Sequence, residues 1–214
     1  MNIYPSILEH ALEDFVAQIE NVAPHFSHFQ LDITDGLFVP GKTVQPHELE
    51  SVDFGKLQGK TVEFHLMVRD YASFIEQIEK LDSKLAINRV FIPARESGQN
   101  VVSHPKYDIG LFLNPQDSVS EYLEIVPNYK SILLMTVDPG VQGNPFKPEV
   151  LDKIDALRVA GYEGEIVLDG GINDVTLKEI ISRKYVPTGV CPGSYFKENV
   201  AERLETLQSI ARNT

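Results

Sequence analysis

SILLMTVDPGVQGNPFKPEVLDKIDALRVAGYEGEIVLDGGINDVTLKEIISRK (131–184) decides the architecture. SILLMTV (131–137) is a short apolar run of strand length, and PEVLDKIDALRVAG (148–161) is a helix ending on Gly161, where a left-handed cap belongs. EIVLD (165–169) and DVTLKEIISRK (174–184) repeat the pair. Working outward, IYPSIL (3–8) precedes LEDFVAQIENV (12–22), in which Leu12, Phe15, Val16, Ile19 and Val22 share one helical face. FQLDI (29–33) precedes a weak helix near 46–57, and VEFHLM (62–67) precedes YASFIEQIEKL (71–81). RVFI (89–92) leads to a short segment near 95–104, YDIGLFL (107–113) to DSVSEYLEIV (117–126), and GVCPG (189–193) to a final helix over 198–212. Eight strand-and-crossover units imply a parallel sheet with right-handed connections, and eight such units close into a (β/α)8 TIM barrel. A doubly wound open sheet is the alternative, but no G-x-G-x-x-G follows the first strand. Prolines and glycines are spread along the whole chain without a linker, so residues 1–214 read as one domain with short loops.

Composition narrows the function classes. Nineteen Lys and Arg against 31 Asp and Glu give a net charge of −12 with no basic run, which speaks against nucleic-acid binding. No apolar stretch approaches the roughly 20 residues of a membrane span. The first residues, MNIYPSILEHALEDF, lack the basic and apolar regions of a signal peptide, and the single Cys191 has no intramolecular disulfide partner, so a cytoplasmic protein is expected.

In a barrel, chemistry collects at the C-terminal ends of the strands. Ser6, Asp32, His65 and Asp169 stand at four of those ends. Ser6 also suits a turn or a helix cap, and a lone His65 also suits a core. Two carboxylates within apolar strands need partners, because an unpaired buried charge is costly. Gly170 and Gly171 follow Asp169, and Gly193 and Ser194 follow the last strand; such turns are either plain tight turns or a backbone cradle for a phosphate, aided by a helix dipole. DPGVQGNPF (138–146), with Gly140, Val141, Gln142 and Gly143, is long enough to act as a lid. Met67 and Met135 are core fillers or polarizable walls above a reacting carbon.

PSIL (5–8), LDITDGLFVP (31–40), FHLMV (64–68), LLMTVDPGVQGNPF (133–146), LDGGI (168–172) and the Gly193-Ser194 turn together resemble the ribulose-phosphate 3-epimerase family, nearly end to end. The resemblance implies a barrel that epimerises C3 of a ketose phosphate, D-ribulose 5-phosphate to D-xylulose 5-phosphate, through an enediolate. It implies Asp32 and Asp169 as the catalytic acid–base pair on opposite faces of the substrate. It implies that Ser6, His65, Met67, Met135, Gly140, Val141, Gln142, Gly143, Gly170, Gly171, Gly193 and Ser194 bind the phosphorylated sugar. A divalent cation (Zn, Mn, Fe or Co) on Asp32, His65 and Asp169 is also implied, as is a homo-oligomer. Epimerisation beside a carbonyl requires removing a proton on one face and returning one on the other, which suits two carboxylates and a Lewis acid. Gln30 stands where the family has its first metal-ligand histidine, and an amide there weakens the site or shifts it toward harder ions. Thr34, Ile92, Gln142 and Asn144 are further departures, expected to cluster at the same site. An epimerase of a hexulose phosphate such as allulose 6-phosphate, or a phosphosugar-binding pseudoenzyme, are the alternatives. No strand ends in the lysine that a Schiff-base aldolase would need.

Overall fold

The apolar runs lie side by side in one parallel sheet in the computed structural model, which describes residues 1–140 and 143–212. The strands are β1 (Asn2–Ile3), β2 (Ser6–Ile7), β3 (His28–Thr34), β4 (Thr61–Met67), β5 (Ala86–Pro93), β6 (Asp108–Leu113), β7 (Ser131–Met135), β8 (Glu165–Asp169) and β9 (Gly189–Cys191). The sheet order is β1-β9-β8-β7-β6-β5-β4-β3-β2. Its two ends are consecutive in sequence. Pro5 has no N–H to give to a ladder and divides the expected first strand, so that β1 pairs with β9 while β2 pairs with β3. Tyr4 N donates to Val190 O (3.0 Å), Ser6 N to Pro192 O (3.1 Å) and Gln30 N to Pro5 O (3.0 Å), which closes the (β/α)8 barrel through one broken strand.

Strand alternation sorts side chains into two cores. Phe29, Leu31 and Ile33 of β3 face outward into the layer covered by helices. Met67, Phe91, Phe112, Leu133 and Val167 fill the barrel's interior, and Gly110 leaves room for them: a Cβ there would meet the Phe91 ring at 2.6 Å. The interior also holds charge at its N-terminal floor. His28 Nε2 lies 3.0 Å from Glu63 Oε2, Arg89 Nε donates to the same oxygen at 3.0 Å, and Arg89 Nη1 donates to Glu165 at 2.6 Å.

The helices are α1 (Leu12–Val22), α2 (Pro46–Leu49), α3 (Tyr71–Glu79), α4 (Ala94–Ser97), α5 (Asp152–Val159), α6 (Asp174–Ile181) and α7 (Val200–Arg212). α1 buries Phe15, Ile19 and Val22, three members of the face read from its periodicity. The crossover layer is thinner than expected on one side. The region read as a helix over 46–57 holds only α2 and a 3-10 turn at Gly55–Leu57, and the segment near 95–104 reduces to α4. DSVSEYLEIV forms no α-helix; 3-10 turns occupy Val119–Glu121 and Val126–Asn128. Local side-chain bonds win there. Asp117 accepts from Asn114 N, Ser118 and Ser120 bond each other, and Pro127 supplies no helical N–H. Among the described residues, no helix is long and apolar enough to cross a membrane.

Candidate active site

Register brings the polar strand ends together. Asp32 of β3 is opposite His65 of β4, Ser6 of β2 is opposite Gln30 of β3, and Asp169 of β8 is opposite Met135 on one side and Cys191 on the other. A closed barrel then turns these neighbours inward toward one axis, so β3 and β8 meet at the mouth although 137 residues separate their aspartates (169 − 32).

The contacts are direct. His65 Nδ1 lies 3.1 Å from Asp32 Oδ1 and 3.1 Å from Asp169 Oδ2. Ser6 Oγ donates to Asp32 Oδ2 at 2.6 Å. Gln30 Nε2 donates to Asp32 Oδ1 at 3.0 Å and to Asp169 Oδ2 at 2.8 Å, while Cys191 Sγ donates to Gln30 Oε1 at 3.1 Å. All six residues are buried. Burial raises the Asp169 pKa and the nearby Asp32 charge adds to it, so that even with His65 and Gln30 pulling the other way it stands at about 6. Burial opposes a charged His65, but its bonds to Asp169 and Asp32 hold its pKa at about 9. The Cys191 thiol is pushed well up by burial and by the surrounding carboxylates, so it stays protonated.

Ser6, Asp32 and Asp169 form the base of a small cleft, of about 40 Å³, that opens at the mouth. Ser6, Asp32, Met67, Met135 and Asp169 line it from the strand ends, and Gly140, Gly143, Gly170, Gly171, Gly193 and Ser194 line it from the turns. Val141 and Gln142 lie outside the described residues. Leu8, Val137, Pro139 and Ile172 complete the wall, apolar positions that carry no chemical signal in sequence. His65 sits beneath the floor rather than on it, with its ring edge-to-face on Phe112 at 4.5 Å.

The turns after β8 and β9 carry the glycines read as a possible cradle. Gly170 has φ +109° and a Cβ there would lie 2.4 Å from Val137 Cγ2, so only glycine fits. Thr136 Oγ1 donates to the carbonyls of Asp169 and Gly170 and fixes that turn. Among the described residues, the N–H groups of Gly171, Ile172 and Gly193 have no acceptor. The expected helix dipole is not at the cradle, however: α6 starts at Asp174 with its first amides capped by the Asn173 side chain, and a 3-10 turn, Ser194–Phe196, separates Gly193 from α7. The donors left at these turns are backbone amides.

Of the other departures, Gln142 lies outside the described residues and none of the remaining three lines the cleft: Ile92 packs outward under the crossover layer, Thr34 Oγ1 donates to Gly41 O, and Asn144 Nδ2 donates to Asp138 O. Among the described residues, only Gln30 changes the chemistry of the floor. It does so with its N–H groups, since its carbonyl points to Cys191 and not to a common metal position. Asp32, His65 and Asp169 each offer a ligand atom within 4.8 Å of the others, and two carboxylates with one imidazole are a donor set that fits a divalent ion. Sequence reasoning gave Cys191 no role in this site; its register opposite Asp169 was the available signal.

Comparison with known proteins agrees with this geometry. The fold is shared with 3-hexulose-6-phosphate synthase from Salmonella typhimurium (TM-score 0.64, 13% identity, 100% of this chain and 99% of that one). It is shared as well with thiamine phosphate pyrophosphorylase from Pyrococcus furiosus (TM-score 0.60, 16% identity, 99% and 96%). Sequence relatives are closer. The ribulose-phosphate 3-epimerase of Helicobacter pylori is 26% identical, covering 98% of both chains, and that of Methanocaldococcus jannaschii is 31% identical, covering 76% of this chain and 69% of its own. With the model of the ribulose-phosphate 3 epimerase family matching residues 2–186, the chain belongs to that family of isomerases.

Proposed function

We propose that the protein is a ketose-phosphate 3-epimerase, with D-ribulose 5-phosphate converted to D-xylulose 5-phosphate. The observation that carries this is the pair Asp32 and Asp169, from strands across the barrel, at the base of one cleft also lined by Gly171, Ile172 and Gly193, whose N–H groups have no acceptor among the described residues.

The phosphate binds the N–H groups of Gly171, Ile172 and Gly193, which offsets the −12 net charge locally without a basic side chain. Met67, Met135 and Val137 exclude water from the sugar carbons. One carboxylate takes the proton from C3, leaving an enediolate, and the other returns a proton to the opposite face. Ser6 and Gln30 hold Asp32 in place, and burial beside the Asp32 charge raises the Asp169 pKa above the ordinary carboxylate range, which favours its carrying a proton. A divalent ion (Zn, Mn, Fe or Co) held by Asp32, His65 and Asp169 would supply Lewis-acid polarisation of the adjacent carbonyl.

Proton NMR of sugar phosphates in deuterated buffer tests this directly. Exchange of the C3 proton of ribulose 5-phosphate with appearance of xylulose 5-phosphate is expected. Exchange only with allulose 6-phosphate would move the substrate to a six-carbon sugar, and phosphosugar binding with no exchange would make the protein a binding module.

A further inference from the structure

Gln30 Nε2 has two hydrogens, and both are committed: one to Asp32 Oδ1 and one to Asp169 Oδ2. Its Oε1 takes the Cys191 thiol hydrogen. Gln30 and Cys191 are both fully buried, so water cannot replace any of these partners. Only this orientation of the amide satisfies all four groups. Turned over, the carbonyl oxygen would face two carboxylate oxygens and the N–H groups would face sulfur, a weak acceptor. A cation shared by the carboxylates reverses that preference, because the amide oxygen is then a hard ligand facing positive charge while the N–H groups are repelled.

We propose that Gln30 and Cys191 form a two-position gate on the carboxylate pair: the thiol holds the amide with its N–H groups bridging Asp32 and Asp169, and a divalent cation is admitted only when the amide turns and gives up the thiol. The pair occupies the flank of the donor set formed by Asp32, His65 and Asp169, so it sets cation affinity without being one of those three groups. Cys191 acts through Gln30 and is a positioning residue. The inference rests on the assignment of Asp32, His65 and Asp169 as the cation-holding set, and its readouts are affinity and amide orientation, independent of turnover.

Calorimetric titration of the purified protein with Zn²⁺ and Mn²⁺ tests it, with NMR of the ¹⁵N-labelled Gln30 side-chain amide as the second measurement. Cys191→Val, which removes the donor at the addition of about one methyl group, should tighten binding about fivefold, the loss of one hydrogen bond of ~1 kcal/mol from the cation-free state. Cys191→Ser, which keeps a donor, should stay within about twofold of the parent on the same hydrogen-bond scale. Gln30→Glu removes the bridging N–H groups and should tighten binding at least roughly tenfold. The two Gln30 amide protons should resonate downfield, as donors to carboxylates, before Zn²⁺ and move upfield at saturation. If Cys191→Val folds poorly, Cys191→Ala asks the same question. Unchanged affinity in the Cys191→Val and Gln30→Glu proteins, or Gln30 resonances indifferent to bound Zn²⁺, would overturn the gate while leaving the cation set standing. Failure of every variant to bind Zn²⁺ or Mn²⁺ would remove the cation set itself, and the gate with it.

Discussion

The floor and the mouth of this barrel both bury charge, and they balance it in opposite ways. The same two strands serve both: His28 and Glu63 lie below, Gln30, Asp32 and His65 above, two to four residues further along β3 and β4. At the floor, Arg89 faces Glu63 and Glu165, so the chain neutralises its own carboxylates with a side chain that never loses its charge. At the mouth, two carboxylates share one histidine, one amide and one serine. The floor's charges are paired within the protein, whereas the carboxylates of the mouth border a cleft. Fixed compensation serves stability, and incomplete compensation serves chemistry.

Substitutions should separate the two. Asp169→Asn is expected to lower C3–H exchange by about 10²- to 10⁴-fold, the usual contribution of a general acid–base group. Its denaturation midpoint should not fall, since relief of repulsion from Asp32 offsets the lost bond to His65. A large loss of stability instead would mean that Asp169 is a structural ion pair like those below. Arg89→Met should do the reverse. It leaves Glu63 buried without its cation and should cost about 3–5 kcal/mol in urea unfolding, while any protein that remains folded keeps its cleft.

Protons distinguish the regions by sign. His65 has its pKa raised from 6.5 to about 9, so the stability it contributes is complete below about pH 6.5 and is lost as pH rises through 9. Burial works to raise the Glu63 pKa, but His28 and Arg89 outweigh it and hold the carboxyl below its ordinary value. Its contribution is present above the ordinary Glu range and is lost as pH falls. Chelator-treated protein should therefore lose about 3 kcal/mol of unfolding free energy between pH 6.5 and 9, from a shift of about 2.5 pH units. His65→Gln should flatten that alkaline limb while moving the Asp169 titration upward, since His65 holds that pKa down; an alkaline limb that persists in the variant would assign it to another group. The smallest effect concerns the phosphate turn. Gly170→Ala forces a side chain into φ +109° and against Val137, with an expected cost of about 1–3 kcal/mol. Its KM for the phosphosugar should rise more than its kcat falls, and an unchanged KM would place the phosphate elsewhere.

Repetition made the barrel legible: eight apolar runs with helical or turn-like spacers admit few closed solutions, and periodicities of 2 and 3.6 survive in a single sequence. The thin side of the crossover layer was not read, because the apolar spacing over 117–126 suits a helix and hides the local competition of Asp117, Ser118, Ser120 and Pro127. Asp32 and Asp169 stood out as carboxylates at apolar strand ends. Cys191 did not, since a cysteine in GVCPG looks like any small apolar strand residue until β9 is placed beside β8.

By itself, then, the sequence determined the element order, the inward carboxylates and the glycine turns, all properties of local spacing. Tertiary structure decided the rest. Closure through Pro5 fixed which strands are neighbours, and with them the partners of each buried polar atom: Arg89 for Glu63, Ser6 for Asp32, and Cys191 for Gln30. A hydrogen bond is a matter of a few tenths of an ångström, Gln30 and Cys191 are 161 positions apart, and only the closed barrel sets that distance.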